Sequence, residues 1–221
     1  MNSEQLGVLF VAVFLVAFLY SSVGHAGASG YIAVMTLFSL APSEIKTTAL
    51  ALNILVASIG ASQFWRAGYF SWRLFWPFAL LATPFAFLGG YLNIPTHLLK
   101  IFLGIVLLAS AARFAWRPTE DIVRREPTRA VAIPLGALLG FMAGLTGTGG
   151  GIFLTPLLLL KRWATTKTAA SVSALFILVN SITGLMGNWS STQTLPRLAL
   201  PLAASAVFGG IFGSSLGQSA L

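Results

Sequence analysis

Two glycine-rich breaks are where this sequence could do chemistry. The first is Gly24-His25-Ala26-Gly27-Ala28-Ser29-Gly30, and the second is Gly144-Leu145-Thr146-Gly147-Thr148-Gly149-Gly150-Gly151. Each interrupts apolar sequence. Glycine in a helix interior costs about 1 kcal/mol relative to alanine, so a dense run of it unwinds the backbone. A helix restarting after such a break presents free N–H groups and roughly half a positive charge at its N-terminus. That chemistry suits an anion. Gly24, Gly27, Gly30, Gly147, Gly149 and Gly150 would surround an oxyanion with backbone N–H groups, and Ser29, Thr146 and Thr148 would add hydroxyl donors.

Other polar residues stand near the breaks. His25 is the sole histidine within them; it would bind an anion when protonated, carry a proton, or serve only as a packing histidine. Lys46 and Lys167 occupy matching places, each opening the segment after a break. They either attract an anion or face the interface as loop ends do. Asn53 and Asn180 lie inside apolar segments among Thr47, Thr48, Thr168, Ser171, Ser173 and Ser181. Each either lines a cavity or makes an interhelical hydrogen bond.

The acidic residues Glu4, Glu44, Glu120, Asp121 and Glu126 all fall at segment ends or in a polar linker. A cation or metal carrier would place a carboxylate mid-segment, because intramembrane ionisable groups mark ion pathways. The chain has no cysteine, which removes thiolate metal sites, thiol nucleophiles and disulfides. Neither a metal nor a cofactor is expected.

The elements that must position these residues follow from composition. Of 221 residues, 57% are hydrophobic and 8% charged, against roughly 25% charged in a soluble domain. Lipid must therefore be the main solvent. Apolar segments run 6–23, 31–41, 47–62, 74–92, 98–112, 131–146, 152–160, 168–187 and 197–217. They are continuous rather than alternating, which favours helices over barrel strands. At about 20 apolar residues per crossing they suffice for about six to eight spans. The tryptophans at 65, 72, 76, 116, 163 and 189 sit near segment ends, as interfacial anchors do. Met1-Asn2-Ser3-Glu4-Gln5 lacks the basic start of a secretory signal, so the stretch after it is expected to remain a membrane segment.

The net charge of +8 collects between segments. The main collection is Arg113, Arg117, Arg124, Arg125 and Arg129, which marks a cytoplasmic loop rather than a nucleic-acid site.

A shift of 123 or 124 residues brings several features into line. Gly24–Gly27 falls on Gly147–Gly150, Ser58-Ile59 on Ser181-Ile182, and Arg73, Pro77 and Gly89 on Arg197, Pro201 and Gly213. A two-residue adjustment aligns Lys46-Thr47 with Lys167-Thr168. The expectation is an all-α membrane protein: a polytopic bundle of two homologous, inverted repeats, with broken or re-entrant segments 1 and 5 meeting near the midplane. The first repeat covers 1–112, a basic cytoplasmic linker 113–130, and the second repeat 131–221, apparently without its last helix. Inversion is preferred because broken segments that turn back put Lys161, Arg162 and Lys167 on the linker's side.

Isolated pairs such as Gly89-Gly90 and Gly209-Gly210 fit close helix packing instead. Gly27-Ala28-Ser29-Gly30 also resembles the serine motif of rhomboid intramembrane proteases. The only later histidine, His97, lies in a loop-like stretch unsuited to a buried base. The expected class is thus a carrier and not an enzyme. A passive anion channel is the alternative, since duplicated half-helices also build pores.

With its duplication, the pattern resembles the TauE/SafE family of sulfite exporters and related permeases. The resemblance rests on the Gly24–Gly30 break, the Pro42–Ala49 stretch and the Arg66–Trp72 turn. In the second half it rests on Gly144–Gly151, Lys167–Ala170 and Arg197–Gly213. It implies a bacterial inner-membrane secondary transporter of seven or eight helices. The implied substrate is sulfite, a sulfonate or a similar small sulfur-containing anion. The resemblance also implies use of an ion gradient, with H+ the candidate coupling ion; the lipid bilayer is the other expected partner, and a homo-oligomer is left open.

Overall fold

The structure is a computed structural model that describes residues 3–92, 101, 126–193 and 195–220. Among these the chain forms eight helices: α1 (Ser3–Ser22), α2 (Ala28–Leu37), α3 (Pro42–Arg66), α4 (Trp72–Tyr91), α5 (Arg129–Thr146), α6 (Gly151–Leu160), α7 (Thr166–Thr192) and α8 (Ala199–Ala220). Six of them are long and apolar enough to cross a membrane; α2 and α6, of 10 residues each, are not. The expected segment 98–112, except Ile101, and the linker residues 113–125 lie outside the described residues, as does His97.

Both glycine breaks are present. Residues 23–27 separate α1 from α2, and 147–150 separate α5 from α6. Gly24, Gly27, Gly147, Gly149 and Gly150 hold φ between 73° and 96°, the left-handed region that a Cβ disfavours. α3 begins earlier than hydropathy suggests. Pro42 takes the first helical turn, where its missing N–H leaves no gap, and Glu44 faces the positive end of the helix.

Lipid offers apolar helices no hydrophobic reason to associate, so close backbone approach at small residues must supply the packing. Two glycine stripes do so. On α5, Gly136, Gly140 and Gly144 abut the carbonyls of Phe78, Ala82 and Ala86, so α4 and α5 run side by side in one direction. On α8, Gly209, Gly213 and Gly217 abut the carbonyls of Phe14, Phe18 and Ser22 of α1 in the same manner. Gly89 and Gly90 meet α5 and α7 backbone, the packing role expected of that pair.

The long helices α3 and α7 cross antiparallel at the centre, with Asn53 beside Ser181 and Gly60 facing Ala174. α4 runs with α7, from Tyr69 at Lys167 to Gly90 at Gly184 and Asn188. α6 descends α7 against its direction, from Gly151 at Ile177 to Thr155 at Ser173. The outer faces carry large apolar side chains such as Leu15, Leu200 and Phe208, at 50%, 84% and 57% exposure. That is a lipid-facing surface rather than a wetted one.

At one end of the bundle Arg73 pairs with Glu126 at 2.7 Å and Arg129 lies 4.9 Å over the Trp76 ring, tying the start of α5 to the start of α4. From these helix directions, Arg66, Arg73, Arg129, Lys161, Arg162 and Lys167 gather at that end, with Lys46 and Arg197 at the other.

Candidate functional site

The second break is a polar cluster pressed between the two central helices. Gly147 ends α5, its N–H donating to the Ala143 carbonyl at 2.9 Å, and Gly150 precedes the first turn of α6. The hydroxyls of Thr146 and Thr148 stand 2.8 Å apart. From α3, Asn53 Nδ2 donates to the Thr148 carbonyl at 3.1 Å and lies 3.4 Å from Ser181 Oγ of α7. A Cβ on Gly149 would come within 2.6 Å of Ser181 Oγ and 2.8 Å of Asn53 Nδ2. Only glycine therefore fits there, for both its φ and its neighbours.

Unused hydrogen-bonding capacity is found here and on the flanking helices α3 and α7. Among the described residues the N–H groups of Gly149, Gly150, Gly151 and Ile152 have no hydrogen-bond acceptor. The first turn of a helix leaves such donors open. Thr48 Oγ1, Asn53 Oδ1 and both amide atoms of Asn180 are buried without a partner among the described residues. Buried polar atoms are nearly always paired, so the open Asn53 Oδ1 beside Thr148 and Gly149 is an exception.

Lys46 adds charge. Its Cγ would lie 3.0 Å from a Cβ on Gly147, and its Nζ donates to the Gly90 carbonyl at 3.2 Å, near the end of α4. Asn188 Nδ2 points to that same oxygen at 3.5 Å.

The first break is used differently. The N–H groups of Gly24 and His25 close a turn on the Ser21 and Tyr20 carbonyls, and Gly24 packs against Ala170. Gly27 and Gly30 let α2 lie on Val16 of α1, and Ser29 Oγ donates to the Tyr20 hydroxyl at 3.0 Å. His25 leaves this turn for the other half: its Nε2 stands 3.1 Å from the Gly151 carbonyl and its Nδ1 3.3 Å from that of Val23.

The structure therefore gathers Asn53, Thr146, Gly147, Thr148, Gly149, Gly150 and Lys46, with His25 reaching in at Gly151. Gly24, Gly27, Ser29 and Gly30 pack against helices instead. Asn180 adjoins Ser181 in sequence and is 1% exposed. Lys167 lies at the opposite end, its Nζ 5.0 Å over the Tyr69 ring. On α7 it is Ala170, facing Gly24, that holds the place Lys46 holds against Gly147 on α3. Sequence reading missed the Gly90 carbonyl and Asn188; the latter lies one residue beyond the segment drawn to 187, at a spacing of eight from Asn180. Among the described residues no three His, Asp or Glu side chains stand close enough to hold a metal ion.

Comparison with known proteins adds family evidence. The model of the family described as sulfite exporter TauE/SafE matches residues 9–220. The chain is 40% identical over 223 residues to the probable membrane transporter protein y4hK of Sinorhizobium fredii, covering 99% of this chain and 90% of that one. It is 28% identical over 156 residues to a probable membrane transporter protein of Methanocaldococcus jannaschii, covering 66% of this chain and 58% of the other. A probable membrane transporter protein of Xylella fastidiosa is 36% identical over 89 residues, which is 40% of this chain. No solved structure matches the chain.

Proposed function

Because the chain belongs to the sulfite exporter TauE/SafE family, a family of multi-pass membrane transporters, we propose that it carries a small sulfur-containing oxyanion across the inner membrane. Sulfite and simple sulfonates are the class, and the second break is the binding place.

The observation that carries this reading is the convergence at 147–152. Four open backbone N–H groups at the start of α6, the Thr146 and Thr148 hydroxyls and the buried Asn53 amide meet there, and none of the described carboxylates forms an ion pair or hydrogen bond with these groups. A tetrahedral or pyramidal oxyanion accepts from such donors without needing a metal.

The mechanism proposed is alternating access between inverted halves. Support comes from the pairing of helices. The first helix of each half packs on the Arg-to-Gly segment of the other, α1 on α8 and α5 on α4, and α3 and α7 run antiparallel. α6 runs against α7 while α5 and α7 both run with α4, so α6 doubles back on α5, the direction a re-entrant segment takes. The arginine-rich end is the cytoplasmic one by the positive-inside trend. Thr148, at 5% exposure, and Asn53, at 0%, are buried, as residues of a site between two closed gates would be. His25, which links the breaks, is the candidate proton carrier.

The test is uptake of sulfite and methanesulfonate into proteoliposomes, with and without a pH gradient, beside a folded Gly149→Leu variant. Saturable uptake abolished in the variant supports the carrier and its site. Flux that rises linearly with concentration would replace the carrier with a passive channel. Failure of both anions to bind or move in folded protein would reject the anion reading.

A further inference from the structure

Among the described residues Lys46 is a cation without a counter-ion. It lies on α3, half-buried, within a 25-residue apolar span. Among the described residues no carboxylate comes within ion-pair distance of it. Glu44 sits two residues away, on a different face of the helix, and Glu126 pairs with Arg73 at the far end of the bundle. The ammonium hydrogen-bonds only the neutral Gly90 carbonyl. An unpaired ammonium among apolar helices is costly, and such residues persist where function needs them.

The surroundings show where the missing charge belongs. The stem of Lys46 lies on Gly147, so the side chain already borders the break that holds the open N–H groups. Its four-carbon stem can swing the ammonium without moving the helix. Gly90 is not abandoned when it does, because Asn188 Nδ2 also addresses that oxygen. The other half offers no second cation, since Ala170 stands in the corresponding place against Gly24.

We propose that Lys46 supplies the single counter-charge of the anion site, moving between the Gly90 carbonyl and the bound oxyanion, so that the site selects a monoanion over a dianion. Alkyl sulfonates and hydrogen sulfite fit; sulfate does not. This rests on the second break being the binding place, and it adds the charge class of the substrate.

Calorimetric titration of the purified full chain tests it with three probes: methanesulfonate, sulfate, and the neutral isostere methanesulfonamide. Wild type should bind methanesulfonate at least about tenfold tighter than sulfate, a comparison that needs no variant. Lys46→Met should lose about tenfold or more of the methanesulfonate affinity while holding methanesulfonamide as well as wild type does, and Lys46→Arg should stay close to wild type. Wild-type affinity for sulfate equal to that for methanesulfonate overturns the proposal. So does undiminished methanesulfonate binding by Lys46→Met when Gly149→Leu has lost it, an outcome that leaves the anion site itself standing. If wild type binds none of the probes, the anion site falls and this proposal falls with it.

Discussion

His25 reaches across 126 positions to set its Nε2 3.1 Å from the carbonyl oxygen of Gly151, the first residue of α6. One imidazole thereby joins the two breaks, and its edge-on contact with Tyr20, at 6.4 Å between ring centroids, holds the ring in place. A shift of α1–α2 relative to α6 must stretch this bond.

Replacing His25 separates coupling from packing. His25→Leu removes the donor and is expected to slow anion uptake about tenfold and to lower stability by about 1 kcal/mol, the usual worth of one hydrogen bond. His25→Gln can still donate toward Gly151 and should recover most of both. Initial uptake rates and thermal melting of the two variants decide the matter; equal rates for both would mean the bond is not part of the cycle.

Gly149 combines a φ of +73° with a crowded Cβ position. Gly149→Ala is expected to cost roughly 1–2 kcal/mol from backbone strain alone and to displace Asn53 from Thr148. Methanesulfonate titration should show weakened binding in folded Gly149→Ala, whereas unchanged affinity would remove Asn53 and Gly149 from the site.

The glycine stripes make opposite forecasts for two alanine substitutions. A Cβ at Gly140 meets the Ala82 carbonyl, while one at Gly7 has nothing within 4 Å. Gly140→Ala should lower the melting temperature by prising α5 from α4. Gly7→Ala should raise stability by up to about 1 kcal/mol through helix propensity. Melting in detergent compares the pair directly.

Ser29 donates to Tyr20 and packs on α1. Ser29→Ala is expected to leave uptake within about twofold of wild type, losing one partly buried hydrogen bond. Loss of all uptake in this variant would return the serine to the working site.

Topology can be read with thiols, since the chain has no cysteine of its own. In inverted halves, Ser43→Cys and Ser190→Cys lie at one end of the bundle, Ala67→Cys and Lys161→Cys at the other, and all four positions are exposed. A membrane-impermeant maleimide on intact cells should label the first pair and spare the second. Labelling of Ser43→Cys with Lys161→Cys would reject the inversion.

Local sequence determined a great deal here. An 8% charged chain can only be solvated by lipid, and long continuous apolar runs can only satisfy their backbones as helices there. Clusters such as Gly147–Gly151 force a break wherever they stand, because left-handed φ is a property of residue type. The breaks and most helix extents were therefore legible without a structure. The six described long helices and two short ones follow those runs within a few residues. The error at Pro42–Lys46 arose because hydropathy discounts a polar first turn that proline and a glutamate stabilise.

What tertiary structure decided is the use of each residue. Gly24 and Gly147 look alike in sequence, yet one abuts Ala170 and the other Lys46. Lys46 and Lys167 look equivalent, yet their ammonium groups settle at opposite ends, one on a carbonyl and one on a tyrosine ring. Spacing along a chain places a side chain on a helix face, but not the helix that face will meet. Which helix it meets is settled by which backbones can approach most closely, and here the stripes Gly136–Gly140–Gly144 and Gly209–Gly213–Gly217 choose α4 and α1 as partners. The polar cluster at the second break follows from that choice.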